Sequence, residues 1–171
     1  MSVRSAKRGD EEAIAHIGRE SFTWAFGQLF PADVLTRYLD ATYSAGKILL
    51  SISKPNNVYF VSEAEDRIVG FLKLKRSCRH FLIRDSRQLQ VQKIYVLPNA
   101  ANMGIGSSLM RLGEESVRAL APISAWLMVY EGNHRAVSFY ERLGYCPIGR
   151  DNHDFEAIRV GFTVMKKDYG A

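Results

Sequence analysis

The stretch Ile94-Tyr95-Val96-Leu97-Pro98-Asn99-Ala100-Ala101-Asn102-Met103-Gly104-Ile105-Gly106-Ser107-Ser108-Leu109-Met110 constrains the fold of this chain more than any other. A β-branched and aromatic run stops at Pro98, which cannot donate to a sheet ladder. Two glycines follow where an apolar helical period begins, namely Ile105, Leu109, Leu112, Ser116 and Leu120. The pattern predicts a strand, a tight loop and a helix start. Successive amides in such a loop turn their N–H groups toward one point, and the first helical turn adds unpaired N–H groups and the positive end of the helix dipole. An anion site is expected there. Gly104 and Gly106 suit it because glycine tolerates positive φ and lets a ligand approach without meeting a Cβ. No Gly-Lys-Ser/Thr closes the loop and the full Gly-x-Gly-x-x-Gly is absent, so an ordinary strand-to-helix turn has the same local pattern.

Composition narrows the class. A chain of 171 residues with 47% apolar content suits a single domain, 1–171, with a real core. A formal net charge of +5 fits a protein that holds an anionic ligand, and equally a weak attraction to nucleic acid. Cys78 and Cys146 are the only cysteines, and neither has a Cys or His at ligand spacing, so packing is expected of them and no metal. Without a signal-peptide core near Met1 or an apolar run of spanning length, a cytoplasmic location away from membranes is the expectation.

In chain order, Val3 to Lys7 is a strand candidate and Asp10-Glu11-Glu12 opens a helix to about Phe26, with Ile14, Ile17, Phe22 and Ala25 as its apolar face. An aromatic corner from Ser21 to Pro31 leads into a second helix at Ala32 to Tyr43. Residues 57–63 and 67–75 alternate as a hairpin around Glu65-Asp66-Arg67. Lys73, Lys75, Arg76, Arg79, Arg84 and Arg87 run through a loop that reads as solvated, or as charges that meet a ligand's phosphates or an acidic partner; a nucleic-acid site there would require a steep fall of affinity with salt, and no regular aromatic interleaving supports one. Along 88–96, Leu89, Val91, Lys93 and Tyr95 face one way and Gln90, Gln92, Ile94 and Val96 the other. Ser124 to Glu131 is a strand, Asn133 to Gly144 a short helix, and 145–153 with 155–168 a closing antiparallel pair.

The order strand, Gly-x-Gly loop, helix, strand, then Asn133, Ala136, Phe139, Tyr140, Gly144 and Tyr145 resembles the Gcn5-related N-acetyltransferases from about residue 1 to 168. Gly104-Ile105-Gly106 match the family's Gln/Arg-x-x-Gly-x-Gly/Ala loop, although Ala101 stands where Gln or Arg is usual. The resemblance implies an α/β (α+β) fold: a mixed, mostly antiparallel sheet of about six to seven strands flanked by about four helices, with a splayed strand pair that admits coenzyme A. It also implies acetyl-CoA as cofactor, its pantetheine arm on Ile94, Tyr95 and Val96 and its pyrophosphate at Ala101, Asn102, Met103, Gly104, Ile105, Gly106 and Ser107. Asn133, Ala136, Phe139 and Tyr140 complete the cofactor set. Phe22, Trp24 and Phe26 become candidate walls of the acceptor site, while a core-packing corner is the plainer account of them. Thr-Trp-Ala-Phe-Gly followed by Pro31 resembles a bacterial subgroup that acetylates polyamines.

Acetyl transfer from a thioester to an amine requires a neutral amine, a stabilised oxyanion and a proton for the departing thiolate. On the resemblance Tyr140 is the proton donor and a main-chain N–H near Val96 serves the oxyanion. Asn133 either meets the pantetheine or caps its helix. Many relatives carry a glutamate on the strand before the loop; here Gln90 and Gln92 stand there and cannot accept a proton at neutral pH. Deprotonation falls to Glu131, which reads equally as a surface carboxylate, to a water chain or to solvent. The function expected is direct acetyl transfer to a primary amine of a small, polyamine-like molecule or of a peptide. The alternative is a non-catalytic acyl-CoA-binding module. The aromatic surface near Trp24 is compatible with a homodimer.

Overall fold

A computed structural model of the chain describes residues 1–118, 121–122 and 124–169. The elements are β1 (Ser2–Ser5), α1 (Glu11–Phe26), α2 (Ala32–Thr42), α3 (Ala45–Ile52), β2 (Asn57–Ala64), β3 (Arg67–Arg76), β4 (Gln88–Val96), α4 (Ile105–Val117), β5 (Ser124–Tyr130), α5 (His134–Arg142), β6 (Cys146–Phe155) and β7 (Ile158–Asp168). One seven-stranded sheet runs in the order β1-β2-β3-β4-β5-β7-β6. The sheet is mixed. β4 and β5 pair in parallel, whereas β1–β2, β5–β7 and β6–β7 are antiparallel. The expected α/β sheet and its mostly antiparallel character are therefore present, with five α-helices among the described residues against about four expected.

The chain forms two compact units, residues 1–74 with 93–116 and residues 75–92 with 117–171, and passes from one to the other within β4. In the first unit, α1 starts where expected, but Asp10 does not cap it through its side chain. Its carboxylate instead accepts from both terminal nitrogens of Arg4, at 2.7 and 3.0 Å, and from the N–H of Lys7. Glu63 of β2 takes the other edge of the same guanidinium. Ile14, Ala15, Ile17, Gly18, Ser21, Phe22 and Phe26 are the buried residues of α1, so the expected face is correct at Ile14, Ile17 and Phe22, while Ala25 is half-buried.

The third helix is not foreseen by the sequence reading. Ser44 caps it by accepting from the N–H of Lys47, a local bond that restarts the helix immediately after Tyr43, the C-cap of α2. Helix α4 begins at Ile105 as predicted, but its buried stripe is Ile105, Leu109, Met110, Gly113 and Val117. Ser116 is exposed and Leu112 half-buried, and Leu120 lies outside the described residues. The stripe turns because Gly113 lets the helix press onto β3, where a Cβ would come within 2.4 Å of the Leu72 side chain.

In the second unit, β5 pairs with β7 over its full length, from Ser124↔Asp168 to Tyr130↔Phe162. The register of β4 on β5 covers Gln88↔Ser124 to Gln90↔Trp126. The β6–β7 hairpin turns at Glu156, later than the sequence pattern indicates, with φ of 53°. Cys78 donates its thiol to Oε1 of Gln90, and Cys146 is exposed rather than packed, because β6 is an edge strand. No helix among the described residues is long and apolar enough to cross a membrane.

Candidate functional site

The first unit carries the predicted loop. From Gln92 to Leu97 every residue keeps part of its surface open, after the buried Leu89 and Val91. Ser21 of α1 donates its hydroxyl to the carbonyl of Val96, and the N–H of Leu97 is held by the carbonyl of Val69. The chain then makes a 3-10 turn at Pro98–Ala100 and enters left-handed backbone at Asn102, φ 67°, and Gly104, φ 73°. An asparagine and a glycine are the residues that adopt this conformation most readily. A Cβ placed on Gly104 would meet nothing within 4 Å, so the space above it is open. Ile105 anchors α4 in the core, while Asn102, Met103, Gly104 and Ser107 are exposed and Ala101 and Gly106 half-exposed. The first N–H groups of a 13-residue helix thus emerge beside an open glycine.

The sheet face that bears Tyr95 is aromatic. Phe22 lies 4.7 Å from Phe26, 4.5 Å from Tyr38 and 6.2 Å from Tyr43, ring centre to ring centre. Phe71 and Tyr43 both meet Tyr95 edge-on. Phe22 and Phe26 are therefore core residues of this corner, whereas Trp24 is 69% exposed; the three candidate acceptor walls do not form one surface. A lysine lies within this aromatic cluster. Nζ of Lys93 donates to the hydroxyl of Tyr43 at 2.7 Å, and that hydroxyl donates to the hydroxyl of Tyr95 at 3.3 Å. Burial, reinforced by the like charge of Lys73 on β3, brings the Lys93 ammonium down to about 7. Burial drives the Tyr43 and Tyr95 hydroxyls the other way, so both remain protonated and able to donate. Sequence reasoning placed Lys93 and Tyr95 on one face but not Tyr43, which is 50 positions away from Lys93.

In the second unit, Asn133 accepts from the N–H of Ala136 at 3.0 Å and is the N-cap of α5. Of its two expected roles, the capping one is present. The helix carries Phe139 and Tyr140, whose rings lie 5.2 Å apart, with Tyr145 at 6.0 Å from Tyr140. Tyr140 is half-buried. Glu131, at the end of β5, is gripped by Arg150 of β6 through both carboxylate oxygens. The guanidinium holds the Glu131 carboxyl below the usual carboxylate range, which weakens it as a base. Gln92 has a buried Oε1 with no hydrogen-bond partner, an acceptor left available on β4.

The sequence profile of the acetyltransferase (GNAT) family matches residues 12–145. An uncharacterised N-acetyltransferase of Lactobacillus delbrueckii subsp. lactis is 27% identical over 142 residues, 83% of this chain and 82% of the relative. Spermidine N(1)-acetyltransferase of Thermoplasma acidophilum is 22% identical, with 99% of this chain and 98% of that protein covered. Among solved structures, the PaiA N-acetyltransferase of Thermoplasma acidophilum in complex with coenzyme A superposes with a TM-score of 0.77 at 21% identity, covering 99% of this chain and all of that one.

Proposed function

Because the chain belongs to the acetyltransferase (GNAT) family and is an N-acetyltransferase that draws on acetyl-CoA, we propose that it passes the acetyl group directly to a primary amine of a small, polyamine-like molecule or of a peptide. The observation that carries this reading is the open left-handed loop at Asn102 and Gly104 running into the N-terminus of α4. It fits a pyrophosphate: the backbone is already turned, no side chain fills the space above Gly104, and helix-end N–H groups favour negative charge. Ala101 and Met103 to Ser107 would hold it by main chain, since Ala101 brings no polar side chain. Ile94, Tyr95 and Val96 would take the pantetheine arm as an added strand partner.

Bound acetyl-CoA supplies an activated thioester. Tyr140 gives its hydroxyl proton to the departing thiolate, on a helix whose start is fixed by Asn133; Ala136 and Phe139 support the same face. A main-chain N–H near Val96 stabilises the oxyanion. No covalent enzyme intermediate is required, in keeping with cysteines at 78 and 146 that lack an activating neighbour in the sequence. Glu131 has its charge already committed to Arg150, which leaves it a poor base for the acceptor amine. The likeness to a spermidine acetyltransferase supports a polyamine as the first acceptor to try. The test is release of free thiol from acetyl-CoA across a panel holding spermidine, an aminoglycoside and a lysine-bearing peptide. Amine-dependent release is the expected result. Tight binding of acetyl-CoA with no release across the panel would favour the acyl-CoA-binding module instead.

A further inference from the structure

We propose that Lys93 is the general base of this enzyme, positioned by the Tyr43–Tyr95 hydroxyl pair, and that it takes the proton from the acceptor's ammonium before attack. The inference rests on the acetyl-transfer reading above.

Four observations converge on it. Lys93 sits on β4 immediately before Ile94, in the run from Gln92 to Leu97 in which every residue keeps part of its surface open. Its Nζ is held at 2.7 Å by the hydroxyl of Tyr43, which is 1% exposed and wedged against Gly18 of α1, where a Cβ would overlap the Tyr43 ring at 2.2 Å. Tyr43 in turn gives its own proton to Tyr95. A neutral amine so held spends one N–H on Tyr43 and keeps its lone pair and a second N–H for a ligand. Finally, the two positions where a carboxylate base would be expected hold Gln90 and Gln92, and Glu131 is tied to Arg150.

The groups around Lys93 are phenol hydroxyls and one like charge. They are the hydroxyls of Tyr43 and Tyr95, the hydroxyl of Tyr38 beyond Tyr43, and the ammonium of Lys73, which itself lies over the ring of Tyr59 at 5.5 Å. Among the described residues no carboxylate contributes to the balance at Lys93, so nothing there holds it permanently charged. An amine that is half neutral near pH 7 combines availability with basicity.

The acceptor R–NH3+ passes one proton to the neutral Nζ of Lys93, and the freed lone pair forms the C–N bond as the C–S bond breaks. Tyr140 protonates the thiolate, and the second amine proton restores Tyr140. Lys93 returns its proton to solvent, giving one amide, one thiol and one proton released.

The experiment is the pH dependence of kcat/KM for acetyl-CoA-dependent transfer in wild type, Lys93→Met, Lys93→Arg and Tyr43→Phe, with acetyl-CoA affinity measured alongside. Wild type should show an acid limb near pH 7 that stays in place when acceptors of different basicity are exchanged. Lys93→Met and Lys93→Arg should each lose about 100-fold or more of kcat/KM together with that limb, while acetyl-CoA binds within about twofold of wild type. Tyr43→Phe, which keeps the ring and removes the oxygen that accepts from the ammonium, should retain the limb but move it to lower pH. Retention of the limb in both Lys93 variants would overturn the proposal while leaving the transferase reading intact. A wild type that releases no thiol with any amine would instead overturn that reading, and Lys93's role with it.

Discussion

Lys93 donates to the hydroxyl of Tyr43 at 2.7 Å, and this bond ties the strand that leads into the anion loop to the C-terminal end of α2. Both ends of the contact are unusual: an amine with no carboxylate partner, and a phenol driven upward by burial.

The same bond makes a stability prediction that does not depend on catalysis. An amine lowered from 10.5 to about 7 on folding binds fewer protons in the folded than in the unfolded chain between those values. Stability therefore rises with pH across that window, is fully regained above the unfolded value, and is lost as pH falls through 7. Since Lys93 keeps some contact with water, the swing is set at about 1–3 kcal/mol, less than the whole shift implies. Urea midpoints should accordingly be higher at pH 9 than at pH 6.5, and Lys93→Met should flatten the difference. An unchanged slope in Lys93→Met would show that some other group carries it.

Gly18→Ala should destabilise the protein even though alanine favours a helix interior by about 1 kcal/mol. The new methyl would overlap Tyr43 at Cδ1 and Cε1, and Tyr43 is too deeply packed to swing aside. Overpacking of this kind costs about 1–3 kcal/mol, so the net effect is a lower melting temperature. Because Tyr43 must shift, kcat/KM of Gly18→Ala should fall as well, with acetyl-CoA affinity kept.

How far the sequence carried depended on the range of the interactions. The strand, loop and helix of 88–117 were legible because period, proline and glycine are local signals, and so was the capping role of Asn133. Helix α3 was hidden by its own brevity and by Tyr43-Ser44, which reads as a stop although Ser44 is the cap that starts it. Phe22 could be read as wall or core, and only its four aromatic neighbours, three of them outside α1, place it in the core. Glu131 looked like a free carboxylate until the β6–β7 register brought Arg150 beside it. Lys93 was visible merely as one position of an alternating strand, because its meaning comes from Tyr43 and Lys73, each on another element.

At the start of the chain, Asp10→Asn should cost about 1–3 kcal/mol at neutral pH, the range for breaking a buried, charge-assisted hydrogen-bond pair. Arg4 holds the Asp10 carboxyl below the usual carboxylate range. The stabilisation is present above the unfolded carboxylate value and lost as pH falls through the folded one. Wild type and Asp10→Asn should thus differ in urea midpoint at pH 7 and converge in strong acid.

Gly104→Ala separates folding from cofactor binding. Nothing within 4 Å of the new methyl would clash, so the folded chain pays only for an alanine at φ 73°, about 1–2 kcal/mol. The methyl would, however, project into the open space above the loop. Acetyl-CoA affinity should fall by about tenfold or more, equal to about 1.4 kcal/mol, in calorimetric titration. An affinity matching wild type would place the pyrophosphate elsewhere.

Tyr140→Phe addresses the other proton. The substitution keeps the ring and its contacts with Phe139 and Tyr145, so α5 and the Asn133 cap should be undisturbed and acetyl-CoA should bind as in wild type. Without the hydroxyl the thiolate must leave unprotonated or draw on water, which should lower kcat by about 100-fold or more. The acid limb assigned to Lys93 should persist in the residual activity, because deprotonation of the acceptor precedes thiolate departure. Measuring both quantities on one variant distinguishes the two proton transfers: loss of rate with the limb intact places Tyr140 on the leaving group, and full turnover in Tyr140→Phe would remove it from the reaction.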